Sequence, residues 1–371
     1  MYEGPIIDCD VHQEWKSQDD LMPYLPQGWQ EYVRGPGRAG DISMDSSSGY
    51  SNPHGFDRED SFPADGSNPG SSPELVAEQL LDPYNIRRAV LTYGDVIGVS
   101  DFRNPFFASE VARAATQWQI DHWLASDERF YGSILICNQL PEVAAKQIRH
   151  FGDHPRMAQV LMTGNGIGLP HGHPLFHPIY EAAEEMGLPV ALHGGGVRPT
   201  VAAGGTPNFY IEYHTLLVQP VMTSLVSFIS EGVFEKYPDL KIILVEGGVA
   251  WIPAIMWRFD SDYKALRREV PWVEKLPSEY FRKNLKVSTQ PFEISPKPEQ
   301  MVNVLSSMDA QDFLLFASDY PHWDSDDPTY IKDLLPAEWL PKIFYSNSLE
   351  TYGWSDEDVS RGRSPVAATT S

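Results

Sequence analysis

Pro5-Ile6-Ile7-Asp8-Cys9-Asp10-Val11-His12 is an apolar, β-rich run that ends in acids and a histidine. Seven further β-rich runs follow, at 89–93, 131–136, 158–162, 189–192, 241–245, 285–288 and 313–317, separated by segments long enough for a helix and two loops. Most are continuously apolar instead of alternating, the pattern of parallel strands covered on both faces. Eight such strands with helices between them close most simply into a (β/α)8 barrel, an α/β fold. The helical segments agree. Ser72-Pro73-Glu74 supplies an N-cap, a proline at the first helical position and an acid in the first turn, ahead of 75–81. Asn104-Pro105 opens another helix reaching about residue 125, and 222–237 has helical period and stops at Pro238.

Barrels of this kind fill roughly 250 residues, more with insertions, so the 371 residues need no second domain. The expected organisation is one barrel domain over 1–354 and a flexible polar tail over 355–371. Residues 35–72, rich in Gly, Ser, Asp, Asn and Pro, form a lid-like insertion after strand one, on the catalytic side of a barrel.

The net charge of −23, from 51 acidic and 28 basic residues, argues against nucleic acid or an anionic membrane as a partner. The two cysteines, Cys9 and Cys137, lie in apolar runs and suit a reducing compartment. The first residues carry no basic n-region, and no apolar stretch reaches the roughly 18 residues of a membrane span. A cytoplasmic enzyme for a small-molecule substrate is expected, and a homodimer is compatible with this reading.

Side chains at the carboxyl ends of barrel strands converge on one mouth. Strand one ends in Asp8, Asp10 and His12, which alternation puts on one face. Strand five ends in His193 before Gly194-Gly195-Gly196, and strand six in Glu246 before Gly247-Gly248. Strand eight runs into Ser318-Asp319-Tyr320-Pro321-His322. Taken singly, each His or Asp reads as a cap or loop hydrogen-bonder. Together, carboxylates and imidazoles at four strand ends are a ligand set for a divalent transition metal. The candidate ligands are Asp10, His12, His193, Glu246, Asp319 and His322; the candidate catalytic residues are Glu246, His214 and His322. Arg198 is a candidate for an anionic substrate group, and some of the ten Trp and 17 Tyr could line an apolar cavity. No Walker loop, dinucleotide fingerprint or Gly-x-Ser-x-Gly elbow occurs.

On these residues the chain resembles the amidohydrolase-related barrel enzymes that include aminocarboxymuconate-semialdehyde decarboxylase and the resorcylate-type decarboxylases. The resemblance spans 5–350 and implies a metal-dependent barrel enzyme with Zn, Mn or Fe. The family's strand-one, strand-five and strand-eight positions map onto Asp10 and His12, His193 and Asp319. Asp10 stands where the commonest pattern has its first His, and Glu246 where it has a His beside the metal. This carboxylate-rich set is also similar to a small non-heme diiron monooxygenase branch found in the platensimycin and platencin pathways.

Two functions are therefore expected. The first is a diiron monooxygenase in which Asp10, His12, His193, Glu246 and Asp319, with His214 or His322, hold two irons. It would use O2 to hydroxylate an apolar, terpenoid or acyl-thioester, substrate. The alternative is a hydrolase or non-oxidative decarboxylase of a small organic acid with one Zn or Mn, in which Glu246 transfers the proton.

Overall fold

In the computed structural model, which describes residues 2–35, 50, 52–163, 167–194, 205–293 and 295–360, each apolar run is a strand. These are β1 Ile6–Gln13, β2 Ile86–Tyr93, β3 Phe130–Leu135, β4 Met157–Thr163, β5 Val190–His193, β6 Ile242–Val245, β7 Leu285–Ser288 and β8 Leu314–Leu315. They pair in sequence order, every pair parallel. The seam between β8 and β1 is closed by single backbone bonds, Cys9 N to the Phe316 carbonyl at 2.9 Å, His12 N to Tyr320 at 2.7 Å and Asp319 N to Asp10 at 3.0 Å. The molecule is a (β/α)8 barrel, and every residue of β1, β4, β5, β6 and β7 is buried.

The helices follow their local signals. Asn104 accepts hydrogen bonds from the N–H groups of Phe106 and Phe107, and the helix Pro105–Trp118 buries Phe107, Val111, Ala115 and Trp118 along one stripe. Ser72 caps Pro73–Val76 by accepting from Leu75 N. The segment 222–237 departs from a single helix. Val218–Ser230 ends before Gly232, whose φ of 73° lies in the left-handed region, and Val233–Lys236 starts a new turn. Of the expected flexible tail over 355–371, residues 361–371 lie outside the described residues. Asp356–Ser360 is helical, and Val359 is buried in a small cluster with Ile7 and Tyr345.

Of the expected insertion, residues 36–49 and 51 lie outside the described residues. The remainder is joined to the loop after β8: Asp57 and His322 form an antiparallel bridge, Arg58 N bonds the Pro321 carbonyl at 2.9 Å, and Trp323 N bonds the Phe56 carbonyl at 3.0 Å. Gly70, with φ of 70°, lies where a Cβ would meet the His12 carbonyl oxygen at 2.8 Å, so only glycine lets this loop rest on the end of β1. No helix among the described residues is long and apolar enough to cross a membrane.

Candidate metal centre

The ends of β1, β5, β6 and the β8 loop bring six of the expected side chains to one place. Asp10, His12, His193 and Glu246 have donor atoms mutually within 4.8 Å, and so do His12, Glu246, Asp319 and His322. The two groups share His12 and Glu246. His12 Nε2 lies 3.0 Å from Asp319 Oδ1, 3.6 Å from Asp10 Oδ1 and 4.0 Å from Glu246 Oε1. His193 Nε2 lies 3.6 Å from Asp10 Oδ2, and its Nδ1 lies 3.5 Å from Glu246 Oε2. His322 Nδ1 contacts Asp319 Oδ1 at 2.7 Å and faces Glu246 Oε1 at 3.8 Å.

Supporting groups aim these donors. His12 Nδ1 is hydrogen-bonded to the Tyr93 carbonyl at 2.8 Å, which makes Nδ1 the protonated nitrogen and turns Nε2 inward. The Thr92 hydroxyl donates to Asp10 Oδ1 at 2.6 Å. Asp8 accepts from Asp10 N at 3.2 Å and Ser318 N at 3.0 Å, tying β1 to β8 just below the ligands. Glu246 and Asp319 have φ of 52° and 58°, left-handed values that non-glycine residues rarely adopt and that gather at functional sites. The Glu246 turn is held by Ser288 Oγ, which accepts from Glu246 N at 3.1 Å. Gly194 is required by packing: a Cβ there would meet the Glu246 carbonyl oxygen at 2.6 Å.

The electrostatics are those of a site built for a cation. Burial works against the charge of Asp10, His12, Asp319 and His322, and their neighbours offset it. Burial would raise Asp10, yet His12 and His193 hold it well below the usual carboxylate range. His12 is held well above its ordinary value, because Asp10 and Asp319 outweigh burial. Asp319 is lowered to about 2 against burial, chiefly by His322, and His322 is raised to about 9 against burial, chiefly by Asp319. Glu246 goes the other way: burial, only partly opposed by His193, pushes it up to about 7. Asp10 Oδ2 and His12 Nε2 are buried with no hydrogen-bond partner among the described residues. Buried polar atoms normally make hydrogen bonds, so two that make none, among neighbouring imidazoles and carboxylates, fit a bound metal ion.

His12, His193, Glu246, Asp319 and His322 line a cavity of about 320 Å³ whose walls also include Gln13, Phe56, Asp57, Tyr210, Leu217 and Trp323. Of the expected site residues, His214 stands apart from both ligand groups; it lines the cavity and pairs with Asp324 at 3.2 Å. Arg198 and the glycines at 195 and 196 lie outside the described residues. Sequence reasoning passed over Thr92, Asp57 and Asp324. Thr92 is a polar residue ending β2, so the strand-end rule could have found it. Asp57 comes from the insertion and carries no local signal.

Among curated proteins, the chain is 23% identical to a gamma-resorcylate decarboxylase of Polaromonas sp. (strain JS666) over 294 residues, 75% of this chain and 84% of that one. Among solved structures, it superposes on 5-carboxyvanillate decarboxylase from Sphingomonas paucimobilis with a TM-score of 0.65 at 20% identity, covering 94% of this chain and 100% of that one. A dihydroxybenzoic acid decarboxylase from Polaromonas sp. JS666, solved with manganese and the inhibitor 2-nitroresorcinol, gives a TM-score of 0.59 at 18% identity over 97% and 98%. These two likenesses are of fold. The gamma-resorcylate decarboxylase likeness is on the side of the expected decarboxylase alternative and gives the expected diiron monooxygenase no support. The sequence profile of the family described as amidohydrolase matches residues 7–354, a span that holds all the candidate strand-end ligands, and the chain belongs to that family.

Proposed function

We propose that the chain is a metal-dependent carboxy-lyase that removes a carboxylate from a small aromatic acid without oxygen. The observation that carries this reading is that Asp10, His12 and His193 fall in one group of mutually close donors and Asp319 in a second that shares His12, with Asp10 Oδ2 and His12 Nε2 buried and making no hydrogen bond among the described residues. Those four residues would hold one divalent cation; manganese, found in one relative, is a candidate. A cation bound there would supply a positive centre that orients the substrate and stabilises negative charge developing on it. The chain's own groups do the rest. Thr92 and the Tyr93 carbonyl keep Asp10 and His12 in register. In decarboxylation the bond between ring carbon and carboxylate breaks, its electron pair stays on the ring carbon, and that carbon takes a proton as CO2 leaves. Glu246, between His193 and His322 at the cavity base, is placed to deliver the proton. The cavity volume suits a one-ring acid.

A second reading has one observation in its favour. Because His12 and Glu246 belong to both ligand groups, the six donors suffice for two adjacent ions. A carboxylate-rich pair of sites is typical of non-heme diiron oxygen chemistry. One experiment separates the two. Protein loaded with manganese or with iron is given 2,6-dihydroxybenzoate anaerobically and in air, with CO2 release, O2 uptake and metal content measured together. The carboxy-lyase reading expects CO2 release with one metal per chain. Two irons per chain, no anaerobic turnover and substrate-dependent O2 uptake would overturn it in favour of the second.

A further inference from the structure

One side-chain pair in the cavity belongs to neither ligand group. His214, on the helix Tyr210–Thr215, has its Nε2 3.2 Å from Asp324 Oδ2 in the loop after β8. Both residues line the cavity and are only partly exposed, 29% and 20% by side chain. The imidazole is set into an aromatic wall. It stacks on Tyr210 with ring centroids 5.6 Å apart and 28° between planes, and lies 5.6 Å from the Trp323 ring. Trp323 stacks in turn on His54 at 5.3 Å, and Phe56 meets Tyr210 edge-on at 6.1 Å. Three separate loops thus build one flat-faced wall above the ligand cluster: the described part of the insertion, the helix after β5 and the β8 loop.

An imidazole whose one nitrogen is held by a carboxylate has a fixed orientation and keeps its proton more readily. Asp324 is the main cause of the raised pKa of His214, and Glu246 and Asp319 add to it. With Nε2 engaged by Asp324, Nδ1 is the nitrogen a ligand can meet. Flat rings stack on aromatic faces, and an oriented, charge-assisted N–H selects an oxygen substituent at a defined distance along them.

We propose that the His214–Asp324 pair is the specificity contact of this cavity. His214 donates a hydrogen bond to an oxygen substituent of a planar substrate that lies against Tyr210 and Trp323, while its reacting group meets the ligand cluster. Asp324 is the positioning residue that holds the ring in place. This rests on the carboxy-lyase reading for the location of the reacting group.

The test is titration of the full-length chain with 2-nitroresorcinol, manganese-loaded and metal-free, for the wild type, His214→Phe, Asp324→Asn and the double variant. Phenylalanine keeps the stacking ring and removes the donor. The expected result is at least a tenfold weaker Kd for His214→Phe with manganese content equal to wild type. Asp324→Asn should be weaker by a smaller factor, and its effect should vanish in the His214→Phe background. The absorption band of the bound nitrophenol, which reports ionisation of its oxygen, should shift in the wild type and lose that shift in both single variants. Failure of the wild type to bind 2-nitroresorcinol, or a His214→Phe Kd within twofold of wild type, overturns the proposal. A wild type that takes up no manganese would fail the functional reading separately, since the metal-free titrations still give the ratio between wild type and variant.

Discussion

Replacing Glu246 by Gln keeps the side chain's shape and removes its charge and exchangeable proton. The site geometry sets what should follow. Glu246 faces His193 at 3.5 Å, His322 at 3.8 Å and His12 at 4.0 Å, each longer than the 3.0 Å between His12 and Asp319. Without it, Asp10 still contacts His12 and His193, and His12 still contacts Asp319, at 3.0–3.6 Å. Four donors suffice for one divalent ion. The variant is therefore expected to keep one metal per chain, with affinity weakened roughly tenfold, the lower end of what changes around metal ligands cost. Losing the proton donor should act on turnover instead, lowering kcat by roughly 10²–10⁴-fold, or about 3–5 kcal/mol on the barrier. The assay is metal analysis of the dialysed protein alongside anaerobic CO2 release. A wild type with two metals and a variant with one would refute the reasoning, because Glu246 would then be holding an ion and not a proton. A variant with wild-type kcat would refute it from the other side.

Two further outcomes are expected. Thr92→Val removes the 2.6 Å hydrogen bond to Asp10 while nearly conserving volume. Metal affinity should fall about 10–100-fold, read by competition with a chelator, and unchanged affinity would show that Asp10 is oriented by other means. The metal-free protein should also lose stability as pH rises. His322, raised from 6.5 to about 9, contributes stability fully present below about pH 6.5 and lost as pH climbs through about 9. Glu246, raised by burial from 4.5 to about 7, contributes in the same direction at lower pH. Chelator-treated protein should therefore unfold more easily at pH 9 than at pH 6, by on the order of 2 kcal/mol. Metal-loaded protein should show the opposite trend, since deprotonated donors bind the ion. Equal denaturation midpoints for the metal-free protein at the two pH values would count against the site electrostatics.

The barrel and its strand ends were legible in the sequence, because both are consequences of local pattern. Continuous apolar runs demand cover on both faces, and a strand's alternation puts Asp10 and His12 on one side without reference to the rest of the chain. The same rule located His193, Glu246 and Asp319 one residue at a time. What it could not supply was how they share space. That Glu246 and His12 fall in two candidate ligand groups depends on left-handed turns at Glu246 and Asp319 and on glycine at 194, where a Cβ would meet the Glu246 carbonyl oxygen at 2.6 Å. Those are meetings of β5, β6 and β8, which no one segment encodes. The pairing of His214 with Asp324 joins residues 110 positions apart, and the bridge from Asp57 to His322 joins the insertion to the last strand's loop. The sequence by itself determined which chemistry stands at each strand end. The tertiary structure alone decided which ends meet, and it did so because closing the barrel sets distances between donors that are far apart along the chain.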